Sequence, residues 1–187
     1  GRVSSFYREY QCEIIGDEEQ MFKEEYLQTY DGNITWIDNE SFIEFASGKT
    51  VPVNIFMGVD PASSIKKHAD YSTIVSVAVD DKNNKYVLPY FRKRCKPMDL
   101  ADKIIDYFKL YKPVKTRIES VGYQEMLRDY LRTRADEEGL FIPGLEIKES
   151  PRSSKSSRLE TMHPFFAQKK MHIQKNMSEL KDELLMF

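Results

Sequence analysis

Alternating and continuous apolar positions predict a group of strands that begins near residue 53. Residues 55–60 are an apolar run that ends at an acid, Asp60, and such a run is typical of a strand buried on both faces. Residues 71–79 alternate apolar with small polar side chains, and residues 86–91 are again mainly apolar. Turn-forming residues separate these two segments, so the pattern predicts an antiparallel hairpin beside the first strand.

Helical spacing replaces this pattern after Pro97. Apolar residues recur at helical intervals up to Tyr111, and Pro113 closes the predicted helix. A strand that ends at Glu119 follows directly. The later predicted elements are a helix opened by Gly122, a strand over residues 145–147, a helix carrying Leu159, Met162 and Phe166, an extended piece around residues 171–173, and a helix from near Ser178. This order predicts a mixed α/β sheet with an antiparallel start and parallel later strands, flanked by helices.

The first part of the chain differs in composition from the rest. Residues 1–52 hold acidic clusters and many aromatic residues without a clean long period, so we expect them to form an N-terminal arm. The regular pattern predicts one domain over residues 53–187. Within the arm, residues 48–50 (Gly-Lys-Thr) are similar to the end of a phosphate-binding P-loop, but the first glycine of that motif would have to stand at Ile43. We therefore interpret this segment as a turn.

Length and composition exclude several classes of protein. The 187 residues are the right size for one domain, and no stretch approaches the roughly twenty apolar residues that a membrane span requires. The formal net charge is -2, so any binding to nucleic acid must use local patches rather than bulk charge. Cys12 and Cys95 are far apart and form no C-x-x-C pair, which argues against a zinc ribbon or a disulfide framework and fits a reducing cytoplasm.

Two local basic patches are candidates for contact with phosphate. Residues 92–96 carry four cations. The second patch contains Lys148, Arg152, Lys155 and Arg158, with the single acid Glu149 and four serines. Serine hydroxyls are suited to phosphate contact, which favours the second patch as a binding surface. The alternative for either patch is an ordinary solvated face.

The strongest candidates for chemistry are the acids at two strand ends, Asp60 and Glu119. Pro61 has no amide hydrogen and disfavours helical geometry for the residue before it, so Asp60 should be extended where its strand stops. In the predicted sheet these strands are neighbours, and we expect the two carboxylates to meet at one edge. Carboxylate oxygens suit Mg²⁺ or Mn²⁺, and two such ions about 4 Å apart can activate water in phosphodiester cleavage. Taken singly, each acid has a plain alternative, an Asp-Pro turn or a surface acid.

Four motifs, in order along the chain, resemble one known family. They are Gly58-Val59-Asp60-Pro61-Ala62, His68-Ala69-Asp70-Tyr71-Ser72, Ile118-Glu119-Ser120-Val121-Gly122-Tyr123-Gln124 and Lys155-Ser156-Ser157-Arg158. On the basis of these motifs, nearly the whole chain resembles the C-terminal nuclease domain of the large terminase subunit of tailed bacteriophages. Residues 6–11 are similar to the segment that leaves the family's ATPase domain. The resemblance implies an RNase H-like fold, and the predicted order of elements matches that sheet.

The resemblance also implies a function and a set of site residues. The function is that of a metal-dependent endonuclease, which cuts concatemeric double-stranded viral DNA in the host bacterial cytoplasm by two-metal hydrolysis with Mg²⁺ or Mn²⁺. Asp60 corresponds to the acid that ligates both ions, Glu119 to the second acid, and Asp70 to a catalytic position that supports the metal site or its water shell. Lys155 and Arg158 correspond to a Lys-x-x-Arg element that contacts the DNA backbone. Arg152, in the same basic segment, is a further candidate for DNA binding.

The chain departs from the family pattern in two places. It has no complete P-loop, so the translocating ATPase domain, which would be a partner along with the small terminase subunit and the portal protein, is absent from this sequence. Family members also continue after a Glu-Leu-x-x-Phe element, here residues 183–187, into a segment with the third catalytic acid. We therefore expect truncation before that acid, and weak or no activity from this chain alone. Glu179 and Asp182 are interpreted as surface charges rather than substitutes.

Two other functions stay open at this point. A resolvase or transposase core would share the two acids but should lack the Lys-x-x-Arg element and the acidic arm. A non-catalytic DNA-binding or docking module would not need a third acid. A nucleophilic enzyme is unsupported, because the chain has no Gly-x-Ser-x-Gly sequence and neither cysteine has a histidine nearby in sequence. His68, the nearest histidine to Asp60, is interpreted as an exposed loop residue.

Overall fold

The computed structural model of the protein describes residues 21–62, 71–120, 124–142, 145–149 and 155–186. The chain forms two compact units, one of residues 32–152 and the other of residues 1–31 with 153–187. None of the helices within the described ranges is both long and apolar enough to span a membrane. The proposed division into an arm and a domain at residue 52 stays a prediction.

The described ranges contain the following elements. The strands are β1 (Gln28–Tyr30), β2 (Gly32–Ile37), β3 (Glu40–Phe45), β4 (Thr50–Pro52), β5 (Asn54–Asp60), β6 (Ser72–Val79), β7 (Lys85–Val87), β8 (Phe91–Lys93), β9 (Lys115–Ser120), β10 (Leu145–Glu149) and β11 (Met171–Gln174). The helices are α1 (Pro97–Tyr111), α2 (Gln124–Glu137), α3 (Lys155–Glu160), α4 (His163–Ala167) and α5 (Ser178–Leu184), and a 3-10 helix, Glu24–Tyr26, precedes β1.

The central sheet of the unit 32–152 is mixed, as the sequence predicted. Its strands follow the order β7, β6, β5, β9, β10, and β8 also pairs with β6. Strands β6, β7 and β8 are antiparallel to their neighbours, whereas β5, β9 and β10 are parallel. The parallel pairs require crossover connections, and helices α1 and α2 occupy those connections. The predicted mixed α/β sheet with an antiparallel start, parallel later strands and flanking helices is confirmed.

The hairpin after β5 differs from its prediction in one detail. A single strand was expected over residues 86–91, but two short strands, β7 and β8, pair with successive parts of β6. Pro89 lies between them and has no amide hydrogen to give to the ladder. As a result, β7 pairs with the end of β6, whereas β8 pairs with its start.

Helix α1 begins and ends where the sequence predicted. Pro97 occupies its first turn, and Asp99 Oδ2 accepts a hydrogen bond from the backbone N–H of Lys96 at 3.3 Å. Lys112 adopts the left-handed conformation (φ 42°) and donates its N–H to the carbonyl of Phe108 at 2.7 Å, which caps the helix before Pro113.

One face of the sheet is covered by α1 and α2. The residues that share this core are Met57, Val59, Ile74 and Ile118 from the strands and Leu100, Ala101, Ile104, Ile105, Phe108, Leu127, Leu131 and Ala135 from the helices. All of them are nearly inaccessible to solvent. Since side chains alternate between the faces of a strand, the residues between these positions lie on the other face. Phe56, on that second face, is 42% exposed.

Residues 32–52 form a separate antiparallel sheet of β2, β3 and β4. The turn expected around residues 48–50 is present, but Thr50 already begins β4. Gly48 has φ +80°, a conformation that L residues rarely adopt, and donates its N–H to the carbonyl of Phe45 at 2.8 Å. Gly32 is required for a different reason, because a Cβ there would stand 2.9 Å from the carbonyl oxygen of Glu44.

The unit formed by the two ends of the chain has its own small core. Strand β1 pairs in parallel with β11, and Phe22 packs edge-on against Phe166 with ring centroids 4.8 Å apart. The helix predicted around residues 159–166 is divided into α3 and α4. Pro164, in the first turn of α4, lacks the N–H that a continuous helix would use, and the helix therefore restarts there.

Asp80 holds the turn between β6 and β7. Its carboxylate accepts hydrogen bonds from the backbone N–H of Lys82 (3.0 Å) and Asn84 (2.7 Å), from Asn84 Nδ2 (2.7 Å) and from the Tyr86 hydroxyl (3.3 Å). Burial acts to raise the pKa of Asp80, but these donors together outweigh it, and the pKa lies below its ordinary value. Burial and the nearby Asp80 charge raise the pKa of Tyr86 to about 12.

We expect Asp80→Asn to lower the free energy of unfolding at pH 7 by about 1–3 kcal/mol, because the variant loses the charged acceptor of these bonds. A carboxyl whose pKa is lowered by folding stabilises the protein above its unfolded value, near 3.9, and loses that contribution as the pH falls through the folded value. Urea unfolding from pH 7 to pH 3 should therefore show the two proteins converging below about pH 4. Asp81→Asn, at an exposed neighbour, is the control, and a difference that stays constant with pH would contradict the prediction.

Thr116 lies beside Met57 in the buried face of the sheet and is 0% exposed, and its hydroxyl has no hydrogen-bond partner among the described residues. A buried hydroxyl without a partner is unfavourable, so we expect Thr116→Val to raise the free energy of unfolding by about 1 kcal/mol. Thr50→Val, at an exposed strand position, should change it by less than about 0.5 kcal/mol. Chemical denaturation measures both, and a loss of stability in Thr116→Val would refute the argument.

Candidate metal and nucleic-acid site

Asp60 is the last residue of β5, and its side chain is exposed. The chain is fixed immediately after it, because Pro61 and Ala62 are buried and the backbone N–H of Ala62 donates a hydrogen bond to Ser72 Oγ at 3.0 Å. Ser72 itself is 1% exposed and begins β6. The carboxylate of Asp60 is therefore carried by a backbone that is held on both sides.

Glu119 lies beside Asp60. Strands β5 and β9 are parallel, and their register pairs Gly58 with Arg117 and Val59 with Ile118. Asp60 and Glu119 are the next residues on these two strands. Neighbouring strands of a sheet lie about 4.8 Å apart. Residues in this relation point to the same face of the sheet. The structure thus brings together the two acids that the sequence singled out.

Both acids lie on the face of the sheet opposite α1 and α2. Val59 and Ile118, the residues just before them, are buried in the core under the helices, so the acids point the other way. Gly58 and the exposed Arg117 precede them on their own face. A Cβ added to Gly58 would have no neighbour closer than the Val75 carbonyl at 4.0 Å. On this face the two acids therefore have two neighbours, Gly58 with open space in place of a side chain and the positively charged Arg117.

The same row of the sheet continues through β6 to β8. Asp60 is paired with Thr73, and Thr73 is paired with Arg92. Directly opposed residues of antiparallel strands share a face, so Glu119, Asp60, Thr73 and Arg92 form one row across four strands. We call it the site row. The row places an exposed arginine about two strand spacings, roughly 10 Å, from Asp60.

The donor chemistry of the two acids fits a divalent cation. Mg²⁺ and Mn²⁺ prefer carboxylate oxygens and complete their shells with water, so adjacent carboxylates can share one ion. Among the described residues no group of three or more histidines, cysteines or acids is arranged to hold a metal. Within the described residues Asp60 and Glu119 are therefore a pair of acids suited to a divalent cation, and their role as metal ligands stays a prediction.

The other predicted site residues are less fully placed. Asp70 and Arg152 lie outside the described residues. Lys155 is the first residue of α3, and Arg158 is an exposed residue of the same helix, which belongs to the unit formed by the chain ends. Their predicted roles, and the catalytic roles of Asp60 and Glu119, stay predictions.

Thr73 and Arg92 are the members of the site row that the sequence did not identify. The patch of residues 92–96 was noted as basic, but nothing local in it indicates proximity to Asp60. That proximity depends on the register between β6 and β8, which Pro89 helps to set by ending β7 early. Only the alternation of β6 carried a signal, because it places Thr73 on the face opposite Ile74.

Comparisons with known proteins agree with this fold. A family model described as the terminase RNase H-like domain matches residues 57–185. The crystal structure of the large terminase nuclease from thermophilic phage G20c superposes with a TM-score of 0.52 at 13% identity, covering 89% of this chain and 80% of that one. The structure of the same nuclease with bound cobalt gives 0.50 at 11% identity, covering 89% and 79%.

The HK97 bacteriophage large terminase also superposes, with a TM-score of 0.50 at 10% identity. The match covers 68% of this chain and 31% of that one, so it spans about a third of the whole terminase. No curated protein gives a significant match.

Proposed function

Because the chain belongs to the terminase RNase H-like domain family, we propose that it is a divalent-metal-dependent endonuclease that cuts double-stranded viral DNA. The observation that carries the proposal is the register of β5 and β9, which brings Asp60 and Glu119 together on the face of the sheet opposite α1 and α2. Family membership makes phosphodiester hydrolysis the expected chemistry, and paired carboxylates at a sheet margin are the groups that such chemistry uses.

The two carboxylates have the first role in the proposed mechanism. Asp60 and Glu119 would hold Mg²⁺ or Mn²⁺, with Asp60 contributing to both positions of a two-ion site. Bound there, the ions would supply Lewis acidity for the scissile phosphate and a more acidic water. The bound cobalt in the G20c nuclease supports a divalent ion in this fold. Because Ala62 and Ser72 fix the backbone next to Asp60, its carboxylate would need little reorganisation when an ion binds.

The remaining assignments concern the substrate and its setting. We assign Lys155, Arg158 and Arg152 to contacts with the DNA backbone, and Asp70 to support of the metal or its water shell. The substrate is concatemeric viral DNA in the host bacterial cytoplasm. The partners are a terminase ATPase domain, the small subunit and the portal protein. The family match favours this assignment over a resolvase or transposase core.

Asp60→Asn and Glu119→Gln should each reduce plasmid nicking in Mn²⁺ by roughly 100-fold or more, since each removes a charged ligand. Asp60 is exposed, so its replacement should change the free energy of unfolding by less than about 0.5 kcal/mol. Cleavage should be measured with the 187-residue chain and with a version extended past Phe187. Glu44→Gln, at an exposed position of β3, is the control.

A second measurement does not depend on activity. Mn²⁺ binding, followed by electron paramagnetic resonance, should be at least tenfold weaker in Asp60→Asn and Glu119→Gln than in the wild type or in Glu44→Gln. Unchanged Mn²⁺ affinity, or cleavage that persists in both variants, would refute the metal site. DNA binding without cleavage in any form of the chain would favour a non-catalytic module.

A further inference from the structure

Tyr71, Arg92 and Arg94 form an exposed cluster that the proposed mechanism does not use. The guanidinium carbons of Arg92 and Arg94 lie 4.8 Å and 4.7 Å from the centroid of the same Tyr71 ring. The ring is 44% exposed, and both arginines are exposed. We call these three residues the Tyr71 cluster.

The cluster brings two like charges to one aromatic ring. Each cation–π contact is worth about 0.5–1 kcal/mol at an exposed site, and two guanidinium groups so near each other also repel. Contact with the ring also restricts the positions of the two guanidinium groups, which is favourable for binding phosphate, since guanidinium donors meet phosphate oxygens in a planar, bidentate geometry.

The position of the cluster links it to the acids. Arg92 belongs to the site row, two strands from Asp60 and on the same face of the sheet. That separation of roughly 10 Å is too long for a direct ion pair but short enough for one extended polyanion to reach both places.

The charges around the cluster are mainly positive. Lys93 and Lys96 are exposed in the same segment, so residues 92–96 carry four cations without an acid. The acids nearest to the cluster along the chain are Asp70, which precedes Tyr71 and lies outside the described residues, and Asp99, whose carboxylate accepts a hydrogen bond from the backbone N–H of Lys96 at 3.3 Å at the start of α1. Four cations against these two acids leave an excess of positive charge, which favours an anionic ligand although the whole chain has a net charge of -2.

We propose that the Tyr71 cluster is a DNA-backbone site, in which Arg92 and Arg94 contact phosphates of the DNA that lies across Asp60 and Glu119. Tyr71 is a positioning residue that holds the two guanidinium groups. The site extends the proposed function and rests on DNA being the substrate. DNA is favoured over an acidic protein surface because the cluster shares a row and a face with acids suited to phosphodiester chemistry.

The test is DNA binding in EDTA, where cleavage plays no part. Fluorescence anisotropy with a labelled duplex, measured over a range of salt concentrations, gives the slope of log Kobs against log salt. Each lost phosphate contact reduces the magnitude of that slope by about 0.9 and weakens binding by roughly tenfold at 0.1 M salt. Arg92→Ala/Arg94→Ala should therefore reduce the slope by about 2 and the affinity by roughly 100-fold.

Arg128→Ala/Arg132→Ala is the matched control. It removes the same two charges from exposed positions of α2, which covers the opposite face of the sheet, and should leave the slope unchanged. An unchanged slope in Arg92→Ala/Arg94→Ala, or an equal loss in the control, would overturn the proposal and point to another anionic partner such as an acidic protein. Circular dichroism checks that each variant is folded.

Two variants at Tyr71 test the positioning role. Tyr71→Leu removes the aromatic ring but no charge, so it should weaken binding by roughly 2- to 5-fold while the salt slope stays the same. Tyr71→Phe keeps the ring and should bind as the wild type does. Loss of affinity in Tyr71→Phe equal to that in Tyr71→Leu would show that the ring does not act through the arginines.

The test of the Tyr71 cluster can fail or succeed independently of the test of the metal site. If Asp60→Asn still cleaves DNA but Arg92→Ala/Arg94→Ala has a reduced salt slope, the metal assignment fails and the DNA-backbone site stands. If the acids are needed for cleavage and the salt slope of Arg92→Ala/Arg94→Ala does not change, the metal assignment stands and the DNA-backbone site is wrong. If the wild-type chain binds no duplex at any salt concentration, the DNA-backbone site is wrong, and Mn²⁺ binding still decides the metal assignment.

Discussion

The alternation of side chains across β5 and β9 is the constraint on which the site depends. Val59 and Ile118 are buried under α1 and α2, and their burial sets which face every other residue of these strands occupies. A shift of either strand by one residue would bring a charged side chain under the helices and turn an apolar one outward. The core thereby fixes the register, and the register fixes Asp60 next to Glu119. Packing on the face covered by the helices therefore positions the two carboxylates on the opposite face.

Charges of both signs are arranged along one row of the sheet. Acids occupy the central strands β5 and β9, and an arginine occupies the edge strand β8, with Thr73 between them. The spacing of roughly 10 Å between Asp60 and Arg92 is comparable to the Debye length of about 8 Å at physiological ionic strength. The acids thus keep most of their attraction for cations, and the arginine keeps most of its attraction for phosphate. Groups suited to a divalent cation and a group suited to phosphate therefore lie within a few strands of one another.

Local signals were sufficient to predict the elements that carry the acids. The apolar run before Asp60, the helical spacing between Pro97 and Pro113, and the strand that ends near Glu119 each depend on residues close in sequence, and each is present in the structure. Two elements were predicted as single pieces and are divided, because Pro89 and Pro164 remove backbone donors. The pairing of Thr73 with Arg92 was beyond prediction from sequence, since it depends on a register set by the whole hairpin and not by any residue within the basic patch.

Gly58 gives the acids a neighbour without a side chain. Its backbone conformation is one that any residue can adopt, and the space where a Cβ would stand is open. Neither folding nor strand pairing therefore demands glycine at this position. A larger side chain here would be tolerated by the fold, but it would stand beside Asp60 on the same face and crowd the space next to the two carboxylates.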